Sequence, residues 1–329
     1  MKNSVDRFGR KVSYLRVSVT PRCNLRCAYC MPKDGPPLYP DKEMLTIKQI
    51  TKLIGIYAPL GINKIRITGG EPLVRKGIAT LIRDTKAVKG IDQVTMTTNG
   101  VLLGKMITRL TEAKLDRINI SLDTLRPERM KEITGYNVFD KVMPVIKKIA
   151  VEQIWPLKVN VVAIQGINDD EILDFAKFAS NLPLELRFIE MMPTAHNKLW
   201  KDKTYVKNSE LEKRIRERYE LVPVKQNRFS GPAVVYNIRG GKGRIGFVSP
   251  ISKHFCEDCN RIRLTAEGKL LSCLFSNNEV NLLPGLKNNE KDEWFIDQLN
   301  YALKCKPMGH DLDSDSDTAN IRPMISIGG

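Results

Sequence analysis

The sequence predicts an α/β fold, a partial (open) TIM-like β/α barrel of about six βα units, and three observations carry that expectation. Short apolar, β-branched runs recur along the first 195 residues, each followed by an amphipathic stretch with helical spacing. Strands that alternate with helices pair in parallel through right-handed crossovers. Six units fall short of the eight that close a full barrel, so the sheet is expected to stay open.

The first strand is expected over residues 14–20 and the second over 64–68, with a helix over 46–57 between them. Thr46 stands where a helix N-cap is needed, and Gly61 follows the helix end as a C-cap would. A helix over 78–88, with Gly90 beyond it, leads to a third strand at 93–98. A helix over 103–113 then leads to a fourth strand at 117–122. Helices over 126–133 and 141–151 precede the fifth strand, 157–163, and Asn168 is the expected N-cap of a helix over 171–180 before the sixth, 184–190. Beyond residue 195 the pattern changes to a basic helix, 208–219, and a hairpin with arms 233–239 and 244–248 joined by Gly240-Gly-Lys-Gly243. The chain is therefore divided into a barrel, 1–195, and a C-terminal region, 196–329, that caps it. The acidic run 311–317 reads as a loop or unstructured tail.

Apolar residues make up 42% of the chain and charged residues 27%, as in an ordinary soluble globular protein. No apolar run is long enough to span a bilayer, and the first residues lack the apolar core of a secretory signal. Six of the seven cysteines fall into two tight groups, which reads as metal ligation in a reducing compartment and points to the cytoplasm. The net charge of +16 comes from 53 basic and 37 acidic residues. Nucleic acid, a solvated basic surface and a polyanionic small substrate such as a nucleoside triphosphate would each account for it. The basic residues are spread along the chain without an RNP-like motif or interleaved aromatics, which argues against nucleic acid. Charge alone does not separate the other two.

Cys23-Asn-Leu-Arg-Cys-Ala-Tyr-Cys30 places three cysteines at C-x3-C-x2-C spacing directly after the first strand. Three thiolates can hold three corners of a cubane iron–sulfur cluster, and with no further cysteine until Cys256 the fourth iron is left open for a small molecule. A zinc site is the competing reading, but zinc wants a fourth ligand and none lies nearby in sequence. The spacing resembles the radical S-adenosylmethionine (SAM) superfamily, in which the open iron chelates SAM. After the second strand comes Thr68-Gly-Gly-Glu-Pro72, which resembles that superfamily's SAM-binding Gly-Gly-Glu motif and implies Gly70 and Glu71 as SAM contacts. Thr97-Thr-Asn-Gly100 and Ser121-Leu-Asp-Thr124 end the third and fourth strands, at the face where parallel barrels keep their sites. Tyr29 resembles the aromatic position beside the adenine of SAM, with a plain core aromatic as the alternative.

A second trio, Cys256, Cys259 and Cys273, has C-x2-C-x13-C spacing. Zinc competes more strongly here, with His254 or Cys305 as its fourth ligand. Arg261 and Arg263 follow at once and share a face on an extended segment, where two guanidiniums could fork onto an anion.

The runs Arg-Cys-Asn-Leu-Arg-Cys-Ala-Tyr-Cys-Met-Pro, Ile-Arg-Ile-Thr-Gly-Gly-Glu-Pro-Leu and Cys-x2-Cys-Asn-Arg-Ile-Arg-Leu-Thr together resemble the GTP 3′,8-cyclases, which open molybdenum-cofactor biosynthesis. The resemblance runs from about residue 8 to 273 and resumes at the terminal Gly328-Gly329. It implies one [4Fe–4S] cluster on Cys23, Cys27 and Cys30 with SAM, and another on Cys256, Cys259 and Cys273 with GTP. It further implies Tyr29, Gly70, Ser121 and Met192 at SAM, and Arg16, Arg66, Thr97, Lys158, Arg261, Ile262 and Arg263 at GTP. Arg261, Arg263, Gly328 and Gly329 are expected to serve catalysis. An Arg or Lys inside a barrel is costly unless paired, and a triphosphate would pair Arg16, Arg66 and Lys158.

The implied reaction cleaves SAM, removes hydrogen from C3′ of the GTP ribose and joins C3′ to C8, giving 3′,8-cyclo-7,8-dihydro-GTP. The implied partners are GTP, a flavodoxin- or ferredoxin-like reductant and the next enzyme, cyclic pyranopterin monophosphate synthase. A homodimer is left open; nucleic acid and membrane are not expected. Two other classes remain: a peptide-modifying radical SAM maturase with an auxiliary cluster, and a non-enzymatic iron–sulfur or zinc protein that binds nucleic acid.

Overall fold

The computed structural model describes residues 4–31, 35, 40, 43–194, 197–201, 204–225, 231–310, 312 and 322–328. Six strands fall where the β-branched runs predict them: β1 (Tyr14–Ser18), β2 (Lys64–Thr68), β3 (Gln93–Thr98), β4 (Arg117–Ser121), β5 (Leu157–Ala163) and β6 (Glu185–Glu190). Six more follow: β7 (Leu221–Pro223), β8 (Val234–Ile238), β9 (Arg244–Val248), β10 (Arg261–Leu264), β11 (Lys269–Leu271) and β12 (Glu279–Asn281). All twelve belong to one sheet, in the order β12-β11-β10-β1-β2-β3-β4-β5-β6-β9-β8-β7. The expected hairpin is present as β8 and β9, and β9 pairs in parallel with β6. At the other edge β10 pairs in parallel with β1. The parallel stretch is thus eight strands long, and the C-terminal region supplies both of its flanks.

Helices α1 (Ile47–Tyr57), α2 (Ile78–Ala87), α3 (Ile107–Glu112), α4 (Pro127–Thr134), α5 (Phe139–Val151) and α6 (Ile172–Asn181) make the crossovers. The C-terminal region adds α7 (Lys198–Lys201), α8 (Asn208–Arg216), α9 (Leu283–Lys287), α10 (Asp292–Lys304) and α11 (Met324–Ile327). Thr46 caps α1 through a capping box with Gln49. Asn168 makes no side-chain cap; its amide accepts from the Ile164 N–H and donates to the carbonyls of Asp123 and Val162, tying the ends of β4 and β5 together. The expected helix over 103–113 divides into a 3₁₀ turn and α3. No helix among the described residues is long and apolar enough to cross a membrane. Of the acidic run 311–317, all but Leu312 lies outside the described residues.

Alternation along the strands sorts their side chains into two environments. Leu15, Val17, Ile65, Ile67, Val94, Met96, Ile118, Ile120, Val159, Val161, Leu186 and Phe188 face outward and are sealed in the core against the helices. The alternate set, including Arg16, Arg66, Thr97, Asn119, Ser121, Lys158, Asn160 and Arg187, lines the lumen. Barrel interiors are normally filled by packed branched apolar residues. A lumen lined with cations and amides is built to be filled by something polar.

Candidate active site

Topology alone places the two cysteine groups. Cys23, Cys27 and Cys30 lie in the loop after β1, at the mouth formed by the C-terminal strand ends. Cys256 and Cys259 precede β10, which runs parallel to β1, and Cys273 follows β11, which runs back against β10. The second group therefore sits at the opposite mouth. The strands between are five residues long or so, which separates the mouths by roughly 15 Å at about 3.3 Å per residue. All six cysteines line one cavity of about 370 Å³.

At the first mouth the cysteine loop is laid on two neighbours. Arg26 and Ala28 donate their N–H groups to the carbonyls of Thr134 and Ile133 at the end of α4, at 2.8 and 3.0 Å. On the other side Gly70 donates to the Thr20 carbonyl at 2.7 Å, and a Cβ on Gly70 would lie 2.5 Å from the Arg22 carbonyl oxygen. Only glycine lets the loop after β2 come this close. The Leu25 N–H and the Asn99 side-chain amide face the Cys23 Sγ at 3.4 and 3.8 Å. Burial pushes all three thiols up, with Cys30 reaching about 12. A buried trio of that kind favours neutral thiols until cations neutralise the thiolates, as bound iron would.

Tyr29, Gly70, Ser121 and Met192 all line the cavity. The Tyr29 hydroxyl donates to Asp123 Oδ2 at 2.7 Å, and Asp123 Oδ1 accepts from the Val162 N–H at 2.8 Å. Burial raises the Asp123 carboxyl to about 6. Glu71 departs from the expectation. It is fully buried and its carboxylate accepts from the Leu73 N–H, the Thr98 hydroxyl and the Asn99 N–H, so it braces the ends of β2 and β3 and is not part of the cavity wall. It holds Asn99, whose side-chain amide reaches Cys23.

Between the mouths, Arg16, Lys64, Arg66, Arg117, Lys158, Arg187, Arg261 and Arg263 all line the cavity. Burial, with the crowding second, shows in the proton affinities of two of them. Burial lowers Lys64 to about 8, and burial with the nearby Arg187 lowers Lys158 to about 7. Burial alone would raise Tyr14, but Arg66, Arg16 and Lys64 bring the phenol down to about 7. Glu185, also burdened by burial, is held at about 2 by Arg187 and Lys158, to which its Oε1 is bonded at 2.5 and 2.8 Å. Arg66 donates to Tyr14 and, at 3.0 Å, to Thr97. Arg117 Nε, Asn119 Oδ1 and Asn160 Oδ1 are buried with no hydrogen-bond partner among the described residues. Lys64, Arg117 and Arg187 were not singled out from the sequence. Period-two counting from Arg66 finds Lys64 and from Ser121 finds Arg117, whereas the strand of Arg187 carried no predicted site residue to count from.

At the second mouth Arg261 and Arg263 point into the cavity from β10, while Ile262 does not. Ile262 is packed in the apolar core, because strand alternation turns it away from its two neighbours; its place at the substrate is not supported. Lys306, unremarked in the sequence, is 2% exposed and donates through Nζ to the carbonyls of Arg261 and Ser272 at 2.8 and 2.6 Å. It fastens the segment after Cys259 to the residue before Cys273. Burial would raise the Cys259 thiol, but Arg261 and Lys306 bring it to about 7. Three thiols at each mouth suit three corners of a cubane, whereas a closed tetrahedral zinc site needs a fourth ligand.

The last described residues reach the lumen. Ile325 and Ile327 of α11 are each 1% exposed, and the Gly328 carbonyl accepts from Arg263 at 2.7 Å and Arg16 at 3.1 Å. Gly328 has φ +69°, and a Cβ there would lie 2.5 Å from Thr68 Cγ2 and 3.2 Å from Ser18 Cβ. The tail thus reaches the C-terminal ends of β1 and β2, near the first cysteine group. Gly329 lies outside the described residues.

Comparison with known proteins fits this geometry. The Radical SAM superfamily model matches residues 17–179, and a model described as Molybdenum Cofactor Synthesis C matches residues 184–312. A GTP 3′,8-cyclase of Syntrophomonas wolfei is 43% identical over 325 residues, covering 99% of this chain and all of that protein. The chain belongs to the GTP 3′,8-cyclase family. Family members of the same name from Heliobacterium modesticaldum and Alkaliphilus oremlandii are also 43% identical, over 326 and 324 residues. Among solved structures, SuiB of Streptococcus suis bound to its precursor peptide SuiA has a TM-score of 0.63 at 16% identity, covering 91% of this chain and 68% of that one. That likeness concerns the fold. For a GTP 3′,8-cyclase family member, the two cysteine trios are the residues that would hold iron–sulfur clusters, and the open corner of the first is where SAM would bind.

Proposed function

We propose that this chain converts GTP to (8S)-3′,8-cyclo-7,8-dihydroguanosine 5′-triphosphate with SAM as radical source, the first step of molybdenum-cofactor biosynthesis. The observation that carries the reading is the cationic lumen with one cysteine trio at each mouth. A cluster-bound SAM at the first mouth supplies the one-electron chemistry needed to break an unactivated C–H bond. The chain's own residues do the rest. Cys23, Cys27 and Cys30 hold the first cluster, with Tyr29, Gly70, Ser121 and Met192 around SAM. Cys256, Cys259 and Cys273 hold the second at the far mouth, where the guanine end of GTP belongs. Arg16, Lys64, Arg66, Lys158 and Arg187 take up the triphosphate, whose charge relieves their mutual repulsion. Thr97 fixes Arg66. Arg261 and Arg263 lie where charge changes during ring closure, and Arg263 with Arg16 also holds the Gly328 carbonyl over the reacting centre. With SAM, GTP and the tail seated, the filled lumen would keep water and competing hydrogen donors from the radical.

The reading places the protein in the cytoplasm, where a flavodoxin- or ferredoxin-like protein would reduce it and cyclic pyranopterin monophosphate synthase would take its product. Anaerobically reconstituted protein, incubated with SAM, dithionite and GTP, should yield 5′-deoxyadenosine together with loss of GTP and should carry about eight irons. SAM cleavage without loss of GTP would overturn the substrate, and about four irons would overturn the second cluster.

A further inference from the structure

We propose that His254, Cys256 and His310 form an alternative three-ligand site, sharing Cys256 with the second cluster, for a borderline divalent cation, zinc above all, which the chain can hold when that cluster is not in place. One ligand atom from each of the three lies within 4.8 Å of the others. The two imidazoles are stacked, with centroids 4.4 Å apart and planes 28° from parallel, and the edge of Phe275 braces His310 at 4.6 Å. His254 and Cys256 share one segment and His310 lies in another, and a buried clamp brings the two segments together. Arg10 donates to the Cys256 carbonyl at 2.7 Å and to the carbonyls of Pro307 and Met308 at 2.6 and 2.8 Å. Asp6 holds the same guanidinium at 2.6 Å, with Asp6 and Arg10 side chains 0% and 8% exposed. The segment carrying His310 is therefore fixed against Cys256 by groups that are not ligands themselves. A preformed pair of imidazoles and a thiol suits zinc and its neighbours, and does not suit magnesium or calcium, which want oxygen. Cys256 and His310 both face the cavity, which leaves a fourth position open to water.

Binding makes one metal–sulfur and two metal–nitrogen bonds and releases the Cys256 thiol proton to solvent; no electrons move. A single thiolate cannot hold this ion and a cubane corner together. The ion and the second cluster therefore exclude one another, and the chain has a metal-bound form that must lose its ion before the cluster is built. The binding half of this proposal rests on the three side chains alone, while the exclusion half rests on the cluster reading above.

The Cys259→Ala/Cys273→Ala variant keeps Cys256 but loses two corners of the second cluster. Loaded with its first cluster, which with SAM cleavage reports that it is folded, it is titrated anaerobically with Co²⁺ as the probe. One equivalent should bind with a thiolate-to-cobalt charge-transfer band that Zn²⁺ abolishes. Adding His254→Ala or His310→Ala should weaken binding at least about tenfold, since even partners outside a ligand shell are worth that much. Cobalt bound without the band, or a band indifferent to both histidine changes, would overturn the site. The single Cys273→Ala variant serves the same titration if the double variant does not fold. For the exclusion half, zinc is added to the natural chain after its first cluster is loaded and before the second is assembled. Iron should then stay near four per chain and rise to about eight on a His310→Ala background. Eight irons in the presence of bound zinc would refute exclusion while leaving the site standing.

Discussion

Gly328→Ala is a small change at a place with no room for it. With φ at +69°, an alanine there adopts the left-handed region at about 1–2 kcal/mol. Its Cβ would stand 2.5 Å from Thr68 Cγ2, and carbons rest at about 3.5–4.0 Å, so the tail must withdraw by roughly 1 Å. Withdrawal breaks the bonds from Arg263 and Arg16 to the Gly328 carbonyl, each worth about 1.5–3 kcal/mol. Even with partial relaxation, a loss of about 3 kcal/mol lowers the docked fraction of the tail on the order of a hundredfold. The assay is product formation, with iron content and SAM binding as controls and protease cleavage of the tail as the structural readout. Turnover should fall strongly, clusters and substrate binding should stay near normal, and the tail should become cleavable. Removing residues 328–329 should do the same, and a synthetic peptide ending Ile-Ser-Ile-Gly-Gly should restore part of the rate. Parental turnover in the alanine variant, with the tail equally protected, would refute the placement of the tail over the reacting centre.

Cys27→Ala should abolish SAM cleavage, whereas Cys259→Ala should spare the first cluster and abolish cyclisation; parental cyclisation in the latter would remove the second cluster from the substrate site. Arg261→Ala and Arg263→Ala should slow cyclisation about ten- to a hundredfold while leaving SAM affinity unchanged, as measured by separate SAM titration. GTP binding at pH 8 should take up protons, because a triphosphate raises Lys158, Lys64 and Tyr14 from about 7, 8 and 7. Calorimetry in buffers of different ionisation enthalpy reads the uptake, and proton release would contradict the lumen assignment. In the free chain the depressed Lys158 gives the opposite linkage: the unfolded chain binds more protons above pH 7, so this group makes stability rise with pH toward the free lysine range. Lys306→Met should leave the carbonyls of Arg261 and Ser272 without their buried donor, at about 1–3 kcal/mol each, and should selectively loosen the second cluster, seen as iron lost on desalting.

The six barrel strands were legible because each is a β-branched run bounded by turn residues, and local spacing suffices to find it. β7, β11 and β12 are three residues long and owe their existence to partners elsewhere in the sheet, so nothing local announced them, and β10 was legible only as the extended segment that puts Arg261 and Arg263 on one face. The cysteine trios were legible because ligand spacing is a sequence property. Lys306 was not, since one lysine in a basic chain looks like any other until the two carbonyls it joins are seen. Glu71 and Ile262 lie off the cavity wall for related reasons. A motif records residue type, whereas Glu71 is claimed by three nearby donors and Ile262 by the period of its strand.

The placement of β10 beside β1 has a consequence for how the protein is made. β1 leaves the ribosome early, and its flank is completed only by a strand translated roughly 240 residues later, some 10–50 s at ordinary elongation rates. During that interval a bare edge of N–H and C=O groups is on offer to any other nascent strand. The opposite edge, β6, waits less, because β9 follows within the next segment of chain. Slow or interrupted translation past the barrel should therefore favour intermolecular pairing at β1. Premature stops before Arg261 should give insoluble chains, although all six barrel strands have already been synthesised.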